Sequence, residues 1–218
     1  YAVYQTAMLN LPNIPTIDTP AGRDESNNIL ISQSGEPGKQ QRYTHDTVLA
    51  QLGWIDTKRT GQSSGSRFVT YTGQGARLKR ALIHFMLDQH SQAGYQELSP
   101  PVLVNTASLQ GTGQLPKFEA DLYRCGDAES PLWLSPTAEV QLTNYYQQSR
   151  LPLSDLPLKL TAYTPCFRRE AGAYGKDLKG IIRLHQFDKV ELVEIVGLDQ
   201  GEAALQRVLA QASHMLDL

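Results

Sequence analysis

The stretch "CFRREAGAYGKDLKGIIRLHQFDKVE", residues 166–191, sets Arg168, Arg169 and Glu170 side by side where the flanking residues read as strand. The runs "PLKLTAYTPCFRRE" (157–170) and "GIIRLHQFDKVELVEIV" (180–196) both have strand composition, and residues 171–180, with three glycines, join them. The simplest geometry is a long antiparallel hairpin. Side chains in a strand alternate between faces, so Arg183, His185, Phe187, Lys189 and Glu191 share one face of the returning strand. Arg168 and Glu170 share a face of the outgoing one, and Arg169 has the opposite parity. Two arginines, an aromatic ring and two carboxylates are thereby expected to line one sheet surface.

Such a surface admits a solvated reading, in which cross-strand Arg and Glu pairs each contribute only fractions of a kcal/mol. Against it, Phe187 would be wasted in water, and Glu191 neighbours Val193 and Ile195 on a face that turns apolar. A half-buried carboxylate requires a cationic or hydroxyl partner. Guanidinium forks suit phosphate oxygens, a flat ring suits a base, and a carboxylate accepts from an amine. ATP together with an amino acid satisfies the whole set.

The rest of the chain is compatible with this reading. A length of 218 residues accommodates one sizeable domain, and 40% hydrophobic with 19% charged residues describes an ordinary globular protein. No apolar run approaches the ~20 residues of a membrane span. The net charge of -2 gives no general attraction to nucleic acid, so any such contact requires a local patch or a further part of the chain. The two cysteines, Cys125 and Cys166, form neither a metal-ligand spacing nor a disulfide framework, and a reducing cytoplasm fits them best.

Residues 1–40 are rich in Pro, Gly, Asn and Asp and read as a linker, leaving 41–218 for the catalytic unit. A short helix is expected within 44–60, ending near Gly53, and a strand over 66–72. The strongest helix lies at 75–94: Leu78, Leu82, Phe85 and Met86 form one apolar stripe, and Ile83 and Leu87 begin a second. Two apolar faces need two neighbours, either two parts of the same domain or a sheet and a second subunit. Gly94 caps that helix, and "YQELSPPVLV" is a strand that Pro100 and Pro101 terminate. "GTGQLPKF" (111–118) lacks the ending of a phosphate-cradling loop and reads as a turn. In "WLSPTAEVQLTNYY" (133–146), Thr137 is either a helix cap or a binding hydroxyl, and Glu139 either a first-turn acid or a ligand. Asp199, with Glu202 three positions on, is the expected N-cap of a C-terminal helix.

"GTGQLPKF", "PTAEVQLTN" and "TAYTPCFRREAGAYGKDLKGIIRLHQFDKVELV", with "LNLPNIP" and "SGSRF" less specifically, together resemble the catalytic domain of bacterial-type seryl-tRNA synthetases, which are class II aminoacyl-tRNA synthetases. The resemblance implies an α+β fold, an antiparallel β-sheet flanked by helices, with the hairpin at 157–196 as the second class II motif. It assigns 75–101 to the first motif, which makes a homodimer interface. It implies that ATP and serine form seryl-adenylate, whose seryl group passes to tRNA(Ser). Arg168 would bridge the α-phosphate and the serine carboxylate, and Arg169 would complete the nucleotide-binding triplet. Glu170 would accept from the adenine amino group, Phe187 would stack on the purine, and Arg183 would hold the terminal phosphates.

Serine recognition maps by the same resemblance onto Thr137, Ala138, Glu139, Arg168 and Glu191. Lys176 and Lys179 are either tRNA acceptor-end contacts or solvated loop lysines. Magnesium would arrive with ATP, with no resident metal site expected. The sequence begins at Tyr1 and stops at Leu218 without counterparts of the family's N-terminal coiled-coil arm or third motif. An internal segment, weak or inactive in adenylation by itself, is therefore expected. Two other readings stand beside this one: a synthetase-like ligase charging a non-tRNA acceptor, and a non-catalytic ATP or amino-acid binding paralogue.

Overall fold

The computed structural model describes residues 2–36, 42–170 and 180–218. Its elements in chain order begin with α1 (Ala2–Leu9), α2 (His45–Gln51), β1 (Ile55–Asp56), α3 (Thr57–Ser64), β2 (Thr70–Tyr71) and α4 (Gly73–Gln92). They continue with β3 (Gln96–Glu97), β4 (Leu103–Asn105), α5 (Thr106–Gly111), β5 (Tyr123–Cys125), β6 (Leu132–Leu134) and α6 (Glu139–Asn144). The long strands β7 (Leu158–Phe167) and β8 (Gln186–Ile195) and the helix α7 (Gly201–Asp217) complete the fold.

β7 and β8 form the expected antiparallel hairpin, in a register that pairs Cys166 with Phe187, Thr164 with Lys189 and Ala162 with Glu191. Alternation along β7 buries Leu160, Ala162, Thr164 and Cys166 on one face. There Leu160 and Ala162 pack with Ala138 and Leu142, with Leu98, Tyr146, Val193 and Ile195 around them. Full burial of a leucine such as Leu160 or Leu142 contributes about 1.5–3 kcal/mol. The strands are shorter than their composition suggests, so Arg168, Arg169, Glu170 and Arg183 lie on the segments just beyond the paired ends.

The opposite face of the hairpin meets α4. Tyr163 Oη donates to Asp188 Oδ1 at 2.6 Å, and Lys79 of α4 pairs with the other oxygen of Asp188. Burial and the Asp188 carboxylate push the Tyr163 phenol up to about 12. α4 can lie close to the preceding chain because Gly75 has no side chain: a Cβ there would collide with the Trp54 carbonyl. Towards its C-terminal end α4 buries Leu87 and His90, and Gly94 follows with φ of 85°, a left-handed stop that glycine adopts freely.

The hairpin sheet is mixed, because β3 runs parallel to β7. The expectation of an antiparallel sheet thus holds for the hairpin and not for its neighbour: the chain leaves α4 at Gly94 and re-enters the sheet in the direction of β7. A second sheet, in the order β4-β6-β5, is antiparallel and covers a core of Val104, Leu109, Leu115, Leu122, Trp133 and Val140.

α6 joins the two cores. At about 100° per residue, Val140 points roughly opposite to Ala138 and Leu142. Val140 enters the core of the second sheet, while Ala138 and Leu142 enter that of the hairpin. At the C-terminal end, α7 docks on β8 through Arg207, whose Nη2 and Nε lie 2.7 and 3.2 Å from Glu194 Oε2. The Tyr95 hydroxyl donates to the other oxygen of Glu194 at 2.8 Å.

Several boundaries depart from those expected. α1 occupies part of the stretch read as linker; beyond it, residues 12–36 carry no strand and leave apolar side chains in solvent, Ile17 at 99% exposure among them. Asp199 does not cap α7: it sits inside a single 3-10 turn, Leu198–Gln200, and the helix proper begins at Gly201 with Gln200 at its N-cap. The stretch 66–72 supplies only the two-residue β2, since Arg67 takes a left-handed backbone with φ of 61° and interrupts extension.

Candidate active site

The segment 114–122, the turn leading into α6 and the segment after β7 converge on a cleft of about 320 Å³ lined by Gln114, Phe118, Asp121, Leu122, Pro136, Thr137, Arg168 and Glu170. Arg168 leaves the end of β7, and its amide still pairs with the His185 carbonyl at 2.9 Å. Its guanidinium lies 5.1 Å from the Phe187 ring centroid, and its Nε donates to the Pro136 carbonyl at 3.3 Å. A cation is therefore suspended between an aromatic shelf and the turn that carries Thr137.

The Thr137 hydroxyl bonds in two directions, while the N-cap position of α6 itself is Ala138. The hydroxyl oxygen accepts from the Glu139 amide at 3.2 Å at the start of α6, and the hydroxyl proton goes to Glu191 Oε2 at 2.6 Å. Glu191 also pairs with Lys189, whose Nζ is 2.5 Å from the same oxygen. The hydroxyl, the carboxylate and the ammonium form one small network over Ala162 and Thr164. Beneath it Cys166 is fully buried, and that burial raises its thiol above the ordinary value.

Glu170 and Arg183 pair with each other: Arg183 Nη1 lies 2.6 Å from Glu170 Oε2. Glu170 holds a left-handed backbone with φ of 51°, and Arg67, the other such residue nearby, reaches its carbonyl with Nη1 at 3.4 Å. Backbone strain at two touching residues is found where a site over-determines its geometry. The face expected from parity is also modified at His185. Its ring packs on Phe68 and Tyr123, with centroids 5.1 and 6.2 Å away, and its Nδ1 is 3.1 Å from the Arg168 carbonyl. His185 is a support for the loop root.

The remaining residues singled out from sequence fall in different places. Arg169 is exposed, and its amide donates to the Asp121 carbonyl at 2.8 Å. Ala138 is fully buried against Leu142, Leu160 and Ala162, so only its backbone can meet a ligand. Glu139 is exposed in the first turn of α6. Lys176 and Lys179 lie outside the described residues. Sequence reasoning missed Gln114 and Phe118 of the cleft wall, which sit in the run read simply as a turn; an exposed Phe within a Gly-rich turn was the available signal.

Residues 123–217, which contain the whole hairpin, match the family model of the tRNA synthetase class II core domain (G, H, P, S and T). The relatives narrow that class: along nearly its whole length the chain is similar to serine-tRNA ligases. It is 50% identical over 216 residues to the serine-tRNA ligase of Synechococcus sp. strain WH7803, covering 99% of this chain and 50% of that protein. It is 50% identical over 210 residues to the serine-tRNA ligase of Prochlorococcus marinus strain MIT 9313, covering 96% and 49%. Among solved structures, seryl-tRNA synthetase from Pyrococcus horikoshii complexed with ATP superposes with a TM-score of 0.90 at 30% identity, over 99% of this chain and 53% of that one. Cytoplasmic serine-tRNA ligase from Naegleria fowleri in complex with AMP gives 0.87 at 25% identity, over 98% and 52%. The chain spans about half the length of the relatives it matches.

Proposed function

We propose that this chain carries the amino-acid-activating site of a serine-tRNA ligase. The observation that carries the reading is the placement of Arg168 between the Phe187 ring and the turn bearing Thr137, itself bonded to Glu191. In this reading a purine stacks beside Phe187, the α-phosphate meets Arg168, and serine lies towards Thr137 and Glu191. The serine carboxylate attacks the α-phosphorus, the bond to the β-phosphate oxygen breaks, and pyrophosphate leaves. Seryl-adenylate then gives up its acyl group to the terminal adenosine of tRNA(Ser), releasing AMP.

Arg168 stabilises charge as it develops at phosphorus, because its guanidinium is already held in place by the Pro136 carbonyl and the ring. Glu170 and Arg183 form a neutral pair before ligand arrives; nucleotide binding divides them, the carboxylate taking the adenine amino group and the guanidinium the terminal phosphates. Arg169 contributes from the rim, where it is exposed. Thr137, Glu139 and Glu191, with the backbone at Ala138, take the ammonium and hydroxyl groups of serine. A site that pairs a substrate hydroxyl can reject the analogue lacking it by ~10⁴-fold.

Magnesium would enter as the counter-ion of the triphosphate. The exposed Leu78, Leu82 and Phe85 of α4, at 46%, 49% and 38%, support a homodimer through 75–101. Residues 12–36 serve as linker and the chain from 42 onward as catalytic unit. No described helix is long and apolar enough to cross a membrane, and free Cys125 and Cys166 suit a reducing cytoplasm.

Calorimetric titration of the chain with seryl-sulfamoyl-adenosine, a non-reacting analogue of seryl-adenylate, tests the site. Binding is expected, and Arg168→Ala should weaken it by about a hundredfold, the equivalent of one or two charge-assisted bonds at ~1.5–3 kcal/mol each. Equal affinity in the variant, or no binding by the unaltered chain, would overturn the assignment.

A further inference from the structure

The ligand-facing surface holds a second cation besides Arg168. Lys189 lies on β8 between Phe187 and Glu191, paired across the ladder with Thr164. Its Nζ is 2.5 Å from Glu191 Oε2, and Thr137 Oγ1 donates to that same oxygen at 2.6 Å. The buried Cys166 thiol beneath experiences the charges of Lys189, Glu191 and Arg168 together, so the ammonium projects over the same floor as the groups assigned to substrate.

A glutamate carboxylate normally rotates about its last torsion in a broad, two-fold well. Here two donors from different elements, the turn before α6 and the strand β8, fix the carboxylate plane by converging on one oxygen. Oε2 is then saturated, and Oε1 is the oxygen left to a ligand. A ligand that offers only an ammonium group can compensate for a missing hydroxyl if both oxygens are open to it, but cannot do so when one is taken.

We propose that Lys189 is a positioning residue for amino-acid selection: with Thr137 it holds Glu191 so that a single carboxylate oxygen meets the substrate, which favours an amino acid carrying a side-chain hydroxyl over one without. This rests on the serine reading of the site given above. Lys189 itself need not touch the substrate, and its removal leaves a freely rotating carboxylate that accepts an ammonium through both oxygens.

The test is the ratio of affinities for seryl- and alanyl-sulfamoyl-adenosine, measured calorimetrically, with ATP alone as a control. In the unaltered chain the seryl analogue is expected to bind far more tightly. Lys189→Met should lower the ratio by about tenfold or more while ATP affinity stays within about twofold, and Lys189→Arg, which keeps the ion pair, should restore most of the ratio. An unchanged ratio in Lys189→Met overturns the positioning role. Equal losses for ATP and both analogues also overturn it, because they describe only a damaged fold. If the unaltered chain binds neither analogue, the serine reading falls first and this inference with it.

Discussion

Replacing Thr137 by valine keeps the shape of a buried side chain and deletes its hydroxyl. That hydroxyl donates to Glu191 Oε2 at 2.6 Å and accepts from the Glu139 amide at 3.2 Å. A hydrogen bond to a charged group contributes ~1.5–3 kcal/mol net and a neutral one ~0.5–1.5 kcal/mol. Glu191 retains Lys189 at 2.5 Å, so its carboxylate is not left alone and the lower ends of both ranges apply. The sum is a loss of about 2 kcal/mol. In urea unfolding at neutral pH, with a slope near 2 kcal/mol/M, the midpoint should fall by about 1 M. Combining Thr137→Val with Glu191→Met in a double-mutant cycle should show a coupling of about 1–2 kcal/mol, since either change alone already removes the shared bond. Additivity of the two within ~0.3 kcal/mol would refute the claim that the α6 turn and β8 are joined through this contact.

Three further outcomes can be checked. Arg207→Met should destabilise the chain by roughly 2–3 kcal/mol in the same urea assay, because it strips the cation from Glu194, whose side chain is 1% exposed; the figure sits below the usual loss for a buried pair because Arg207 is 42% exposed and the Tyr95 hydroxyl still donates to the carboxylate. Burial holds the His90 imidazole below its ordinary value of 6.5, and its Nδ1 meets Gln211 of α7 at 3.1 Å. The unfolded chain therefore binds the proton more readily, so stability is full above pH 6.5 and is lost as pH falls below it towards the folded value; His90→Gln should flatten the melting-temperature profile between pH 7.5 and 5.5. Leu82→Glu, placed on the exposed stripe of α4 that the proposed homodimer would cover, should make the chain sediment as a monomer where the unaltered chain sediments as a dimer.

Periodicity was enough to find the hairpin, α4 and α7, because each carries a long regular pattern whose apolar face docks on a neighbour. It was less informative where tertiary contacts decide local structure. The parallel course of β3 comes from how α4 lies on the sheet, and the short β2 from the left-handed backbone at Arg67, neither of which has a local signature. For the site, strand parity placed Phe187, Lys189 and Glu191 together correctly, since all three lie inside β8. Parity could not place Arg183 and Glu170, which lie beyond the ladder and whose position follows from their own ion pair. Nor could it show that Ala138 belongs to the core: that depends on which side of a one-and-a-half-turn helix meets the hairpin.

The position of α6 between two cores has an engineering consequence. In the serine site proposed above, the floor would lie where Ala138 rests on Ala162, and the same helix sends Val140 into the opposite core. Enlarging the pocket to admit a bulkier amino acid by shifting α6 outward would compress the packing around Trp133 and Leu109, while shifting it inward would meet the backbone of the hairpin. The pocket can thus be re-dimensioned by exchanging the side chains that line it, whereas moving its wall requires two interiors to be rebuilt at once.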